Sequence, residues 1–208
     1  MNHFFALLSL LFSMKLTTPE INAINKHCYD HKADRWLRSP FENILPDWVD
    51  QYHPSHLGMD VLDIGSGNGV IAAWLKEKGL KVLCLDPSDE MVRRCRAKGL
   101  KTLQTTIQEF KTDQTFASIF AILSLIHVPK SEFPSQIEKI ASYLPKDGLF
   151  FLALIEGNAE EIREKESGYP RFFSTFEKKE VLSLVEKDFE LVNFEKVSGY
   201  MIFALQRK

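Results

Sequence analysis

Apolar residues follow two alternating rhythms along this chain: short runs rich in branched and aromatic side chains, and longer stretches whose apolar positions recur every three to four residues. The first rhythm suits strands buried on both faces and the second suits amphipathic helices, so their alternation predicts an α/β layered fold. Asp60 to Ile64 reads as a buried strand, and Asn68 to Lys78 as a helix stopped by Gly79. The plan repeats with a strand from Lys81 to Leu85, a turn at Asp86-Pro87-Ser88, and a helix to Lys98 stopped by Gly99. Glycine at that place takes the left-handed conformation that closes a helix. Strands are also predicted over Leu100 to Thr105, Ser118 to Leu123 and Leu149 to Ile155. Between the last two lies a helix from Ser131 to Tyr143, whose apolar face is Phe133, Ile137, Ile140, Ala141 and Leu144.

Two helical segments precede the first strand: one with Thr18 as cap and Pro19 at its first position, and one from about Phe41 to Tyr52. Residues 17–55 are therefore read as a helical lid on a single domain of residues 17–208. After the fifth strand, Thr175 is expected to cap a helix to Val185. Phe189 to Val197 and Tyr200 to Leu205 then meet across Ser198-Gly199 as an antiparallel hairpin at one sheet edge. No repeat or Gly/Ser-rich linker divides the chain.

Composition narrows the function classes. With 26 basic and 28 acidic side chains the formal charge is −2, so there is no broad positive field to collect nucleic acid or anionic lipid. A small-molecule or protein substrate is expected, and neither nucleic acid nor membrane. Cys28, Cys84 and Cys95 are odd in number and contain no Cys-x-x-Cys pair, which argues against a disulfide framework and a zinc site and for a reducing cytoplasm. The apolar run Phe4 to Phe12, within residues 1–16, is shorter than a membrane span; it has no Lys or Arg before it and no Ala-x-Ala site after it. A secretory signal, a native start at Met14 and an apolar helix over the core are the readings open for it.

The chemistry concentrates in Val61-Leu62-Asp63-Ile64-Gly65-Ser66-Gly67-Asn68-Gly69, where a strand runs straight into three glycines that let backbone approach a ligand. A dinucleotide fingerprint, Gly-x-Gly-x-x-Gly, would need glycine at position 70, which is Val70 here. Asp63 discriminates by charge: a carboxylate before the turn repels a pyrophosphate and attracts a cation. It can also simply brace the turn. Asp86 ends the next strand, 23 residues after Asp63, where a carboxylate can accept both hydrogen bonds of a ribose diol or, in the alternative, cap the following helix.

With these residues in place, the chain resembles the class I S-adenosylmethionine-dependent methyltransferases of small-molecule type. Val61 to Gly69 looks like their first motif, and Cys84-Leu85-Asp86-Pro87-Ser88-Asp89-Glu90-Met91 like the second-strand motif. Ser124-Leu125-Ile126-His127-Val128-Pro129 and Leu144-Pro145-Lys146-Asp147-Gly148 resemble the segments after the fourth and before the fifth strand. Glu156-Gly157 and Arg171-Phe172-Phe173 are similar to the stretch after the fifth strand in a bacterial branch. Two departures are Phe116-Ala117-Ser118 for the usual Phe-Asp, and Asp147-Gly148 for a glycine pair.

The resemblance implies a Rossmann-like three-layer sandwich around a mostly parallel seven-stranded sheet with its last strand antiparallel, and S-adenosylmethionine as cofactor. It implies that Gly65, Gly67 and Asn68 lie near the methionine part, that Asp63, Ser66 and Gly69 also belong to the cofactor site, and that Asp86 holds the ribose. Pro87, Ser88 and Met91 would shape the adenosine pocket, Ile107 and Gln108 would flank adenine, and Ser124 and Leu125 would lie beside the sulfonium. Tyr29 to Trp36 matches a family pattern that folds over the cofactor, Tyr29 and Trp36 being its aromatic ends.

Methyl transfer rests on proximity and alignment, so a dedicated catalytic residue is optional. His127 is the candidate general base, the alternative being an imidazole held by backbone in the loop before Pro129. Arg171 and Phe172, with Tyr169 and Phe173, are candidates to line the acceptor pocket, an arginine suiting an anionic group; the alternative is a solvated charge flanking a helix with the aromatics in the core, and the spacing of seven between Tyr29 and Trp36 is equally that of an ordinary buried face. The expected function is methyl transfer to a small acceptor. The second reading is a catalytically silent S-adenosylmethionine-binding protein acting through a partner, and a nucleotide-dependent oxidoreductase is disfavoured by Val70 and Asp63.

Overall fold

The computed structural model describes residues 16–35, 44–164 and 168–208. The N-terminal apolar run and Trp36 lie outside the described residues. Among the described residues, seven strands form one sheet in the order β3-β2-β1-β4-β5-β9-β8. They are β1 (Asp60–Ile64), β2 (Lys81–Asp86), β3 (Lys101–Gln104), β4 (Ser118–Ile122), β5 (Leu149–Ile155), β8 (Phe189–Val197) and β9 (Tyr200–Arg207). β1 to β5 pair in parallel, and β9 inserts antiparallel between β5 and β8. The last strand in the chain is therefore the antiparallel one, and the Ser198-Gly199 turn closes the expected edge hairpin.

The apolar runs are continuous because both sheet faces are covered. On one face Leu62, Leu83, Ile119, Phe150 and Phe203 pack with Phe133, Ile137, Val181 and Val185. These come from α5 (Phe133–Ser142) and α6 (Lys178–Val185). On the other, Val61, Val82, Phe120, Phe151 and Ile202 pack with Trp48, Val49, Ala72 and Leu75, from α2 (Leu45–Tyr52) and α3 (Val70–Glu77). Helix α4 (Asp89–Ala97) sits beside β2 and β3. Burying a side chain such as Phe150 or Leu62, both 0% exposed, contributes about 1.5–3 kcal/mol, which anchors the layers.

Several expected boundaries move for local reasons. The first helix, α1 (Thr18–Lys32), is capped by Thr17 in a reciprocal box with Glu20, so Thr18 is already inside it. Helix α6 starts at Lys178 behind Glu177 and its box partner Glu180, not at Thr175. The Thr175 hydroxyl instead accepts the Ala159 N–H at 2.9 Å. Asp147 takes the left-handed conformation (φ 64°), which an aspartate tolerates where the family pattern has glycine. A two-stranded antiparallel ribbon not anticipated from the sequence, β6 (Glu160–Arg163) with β7 (Arg171–Ser174), stands outside the main sheet.

Candidate active site

Strand order reverses direction between β1 and β4, leaving a crevice at their carboxyl ends, the usual ligand position in open α/β sheets. A cavity of about 780 Å³ lies there, lined by residues from α1, the ends of β1, β2, β4 and β5, and β6 and β7. Tyr29, Asp63, Gly65, Ser66, Gly67, Asn68, Asp86, Pro87, Met91, Ile107, Gln108, Ser124, Leu125, His127 and Arg171 all face it. The sequence placed these residues in six separate segments, and the fold brings them to one space.

Gly69, Ser88 and Phe172 do not line the cavity. A Cβ on Gly69 would stand 2.6 Å from Leu100 Cδ1 and 2.9 Å from Cys95 Sγ, so this glycine serves the packing of α3 on α4, not ligand approach. The Ser88 hydroxyl accepts the Met91 N–H as the cap of α4 and donates to Asp30 Oδ1 at 2.6 Å, tying α1 down. Phe172 contributes its backbone: its carbonyl accepts from His127 Nδ1 at 2.6 Å and its N–H donates to Asn25 Oδ1 at 2.9 Å. Its neighbour Phe173 is the ring that lines the cavity.

The glycine turn is closed on itself. Gly65 and Ser66 both donate N–H to Leu85 O (2.7 and 3.0 Å), Gly67 donates to Asp86 Oδ2 (2.8 Å), Gly69 to Ser66 O (2.9 Å) and Val70 to Asn68 Oδ1 (3.2 Å). A phosphate-binding loop depends on such N–H groups pointing at the ligand; here they are committed inside the protein. Gly65 is required by close approach as well as by its φ of 67°, since a Cβ there would lie 2.3 Å from Ser124 Cβ. Beside it, Leu123 is held at φ 56°, an uncommon conformation for leucine costing roughly 1–2 kcal/mol. Strain of this kind clusters at functional sites.

Two acids close one end of the cavity. Asp63 is 3% exposed, and its Oδ2 has no hydrogen-bond partner among the described residues, as is true of the neighbouring Ser124 Oγ. Burial, with the nearby charge of Asp86 adding to it, pushes the Asp63 carboxyl up to about 7. Asp86 accepts one backbone bond on each oxygen, from Gly67 and from Ser88, which keeps a further lone pair on each. Burial raises it to about 7 against the lowering effect of those bonds. It does not cap α4; Ser88 does.

The other wall is assembled by α1. Tyr29 donates its hydroxyl proton to His127 Nε2 at 2.7 Å, because Nδ1 must carry the ring proton given to the Phe172 carbonyl. Burial drives His127 down to about 4, with the Arg171 charge contributing, and Tyr29 up to about 12. The imidazole is thus neutral and fixed in one tautomer. Its backbone partner is in β7, not in the loop before Pro129. Asn22, Asn25, Lys26, Arg163, Glu156 and Tyr200 also line the cavity and were not singled out in the sequence. Their segments carry no motif; only the helical phase shared by Asn22, Asn25 and Tyr29 signals a common face.

Residues 61–148 match the family model described as a methyltransferase domain. Those residues are thus similar in sequence to methyltransferase domains. The chain is 35% identical over 91 residues to an uncharacterized methyltransferase of Staphylococcus carnosus, covering 42% of this chain and 43% of that one. It is 30% identical over 121 residues to a ubiquinone biosynthesis O-methyltransferase of Actinobacillus pleuropneumoniae, covering 52% and 51%. The chain thus spans about half the length of these curated relatives. The fold also matches a crystal structure of Burkholderia thailandensis 1,6-didemethyltoxoflavin-N1-methyltransferase with 1,6-didemethyltoxoflavin and S-adenosylhomocysteine bound. That match has a TM-score of 0.73 at 19% identity and covers 94% of this chain and 92% of that one.

Proposed function

We propose that this protein transfers the methyl group of S-adenosylmethionine to a small-molecule acceptor. The observation that carries the reading is the pairing of a glycine turn whose amides are internally committed with a buried, cavity-lining carboxylate, Asp63, one oxygen of which has no partner among the described residues. That combination disfavours a pyrophosphate and suits a cationic, phosphate-free ligand. The residues present fit the cofactor. Asp63 and Ser124 would hold its ammonium group, Asp86 its ribose, and Pro87, Met91, Ile107 and Gln108 its adenine. When bound, S-adenosylmethionine supplies an electrophilic methyl group on a sulfonium.

The chain's own residues then position the acceptor and manage its proton. Tyr29 and His127 form a relay in which the acceptor's proton passes to the phenol oxygen as the phenol proton moves to Nε2. His127, neutral above about pH 4, is ready to receive it. Arg171 faces the acceptor side. Helix α1 acts as a lid, with Asn25 and Tyr29 as its working residues. The −2 formal charge supports a small acceptor over nucleic acid, and three buried free cysteines support a cytoplasmic setting. No helix among the described residues is long and apolar enough to cross a membrane.

Titration calorimetry with S-adenosylmethionine, S-adenosylhomocysteine and NADH tests the cofactor. Saturable binding of the first two and none of NADH is expected, and the reverse pattern overturns the reading. Release of S-adenosylhomocysteine in an acceptor screen then separates an enzyme from a silent binder.

A further inference from the structure

We infer that the β6–β7 ribbon and helix α1 form an oxyanion clamp, so that the acceptor is a small molecule carrying a carboxylate or phosphate group. The inference rests on the methyltransferase reading for the identity of the other ligand. In the antiparallel register Arg163 stands directly opposite Arg171. Like charges so placed destabilise a strand pair, and both residues face the cavity. Each guanidinium carbon lies over the ring of Phe173, at 4.9 Å for Arg163 and 4.8 Å for Arg171. The aromatic face thus spaces the two cations around one apolar floor. Arg171 is only 5% exposed, whereas Arg163 is nearer solvent and pairs with Glu161 at 2.6 Å.

An independent observation comes from α1. Asn25 lines the same cavity and is 5% exposed. Its Oδ1 is taken by the Phe172 N–H, which fixes the amide's orientation and leaves Nδ2 as a buried donor with no partner among the described residues. A buried donor without an acceptor costs about 1–3 kcal/mol, a cost that a ligand oxygen here removes. Arg163, Arg171 and Asn25 Nδ2 all donate, and planar guanidinium forks match the geometry of carboxylate and phosphate oxygens. Phe173 offers the apolar surface for the body of the same molecule. The acids Asp63 and Asp86 lie on the strand-end wall, so the cavity separates a site for a cation from a site for an anion.

The test uses protein first saturated with S-adenosylhomocysteine, whose own isotherm is recorded beforehand. Benzoate, phenyl phosphate and the neutral benzamide are then titrated into the wild type, Arg163→Gln and Arg171→Gln. One or both anions should bind saturably and benzamide at least tenfold more weakly. The tighter of benzoate and phenyl phosphate identifies the oxyanion. Arg163→Gln, a partly exposed change that spares the fold, should weaken the anion at least tenfold and leave the S-adenosylhomocysteine isotherm unchanged. Arg171→Gln, checked for folding by its melting curve, should weaken it further. The clamp is overturned if no anion binds, if benzamide binds as well, or if Arg163→Gln leaves anion binding unchanged. Failure of S-adenosylhomocysteine to bind would instead remove the cofactor reading, and the anion titrations would still judge the clamp.

Discussion

The two walls of the cavity are built by opposite strategies. The strand-end wall comes from short contiguous segments after β1 and β2, its amides committed to one another and its two acids buried. The lid-and-ribbon wall comes from residues far apart in the chain: His127 is 98 positions from Tyr29, and Phe172 is 147 from Asn25. The first wall is locally specified and acidic; the second is long-range, aromatic and rich in donors. In a fold that hosts many chemistries on one frame, our proposal gives the locally encoded wall the cofactor and the assembled wall what is particular to this protein.

The sharpest way to break this division is at His127. If the assembled wall carries the proton, His127→Ala should lower turnover about 10²–10⁴-fold while changing the S-adenosylmethionine Kd less than about twofold. Tyr29→Phe should reproduce part of that loss. Unchanged kinetics with the true acceptor would make the imidazole a brace between α1 and β7.

On the acidic wall the expected effect is smaller and falls on binding. Asp63→Asn should weaken S-adenosylmethionine by about 10- to 100-fold, the scale of one lost charge-assisted hydrogen bond. Wild-type affinity should also depend on pH. With Asp63 and Asp86 both near 7 before binding, a cationic ligand favours their ionised forms. Protons are therefore released on binding, and affinity rises from pH 6 to pH 8. The same shift works against the unliganded fold: a carboxyl raised above its unfolded value stabilises at low pH and loses that contribution as pH rises through the folded value near 7. Calorimetry in buffers of different ionisation enthalpy measures the released protons, and Asp63→Asn should reduce their number.

The smallest effect sharpens the boundary of the wall. Ser88→Ala removes the cap of α4 and a tie to α1, so it should cost about 1 kcal/mol in stability, read as a lower melting temperature. Because Ser88 lies behind the cavity, the S-adenosylhomocysteine Kd should hold. A large change in Kd would return this residue to the binding surface.

The contrast also explains what could be read beforehand. Strand and helix identities followed from apolar periodicity, since burying a strand on both faces leaves little freedom in composition. The acidic wall was legible because its geometry is local: Asp63, the glycines and Asp86 are placed by one strand-turn-helix unit each. Even there, contiguity misled at Gly69 and Ser88, since which side of a turn faces the ligand depends on what packs beneath it, here Cys95, Leu100 and Asp30. The register that sets Arg163 against Arg171 was not legible. β6 is a short, charged strand without an apolar run, and only its pairing with β7 and the docking of α1 give it a face.

What the sequence determined by itself is thus the layered frame and the acid-lined turn, both products of local sterics and periodic burial. Only the tertiary structure decided the neutral tautomer of His127, the lone donor of Asn25 and the paired arginines. The first two depend on partners distant in the chain, Phe172 for His127 and for Asn25, and the third on a strand register; hydrogen-bond direction and charge proximity exist only once those partners meet.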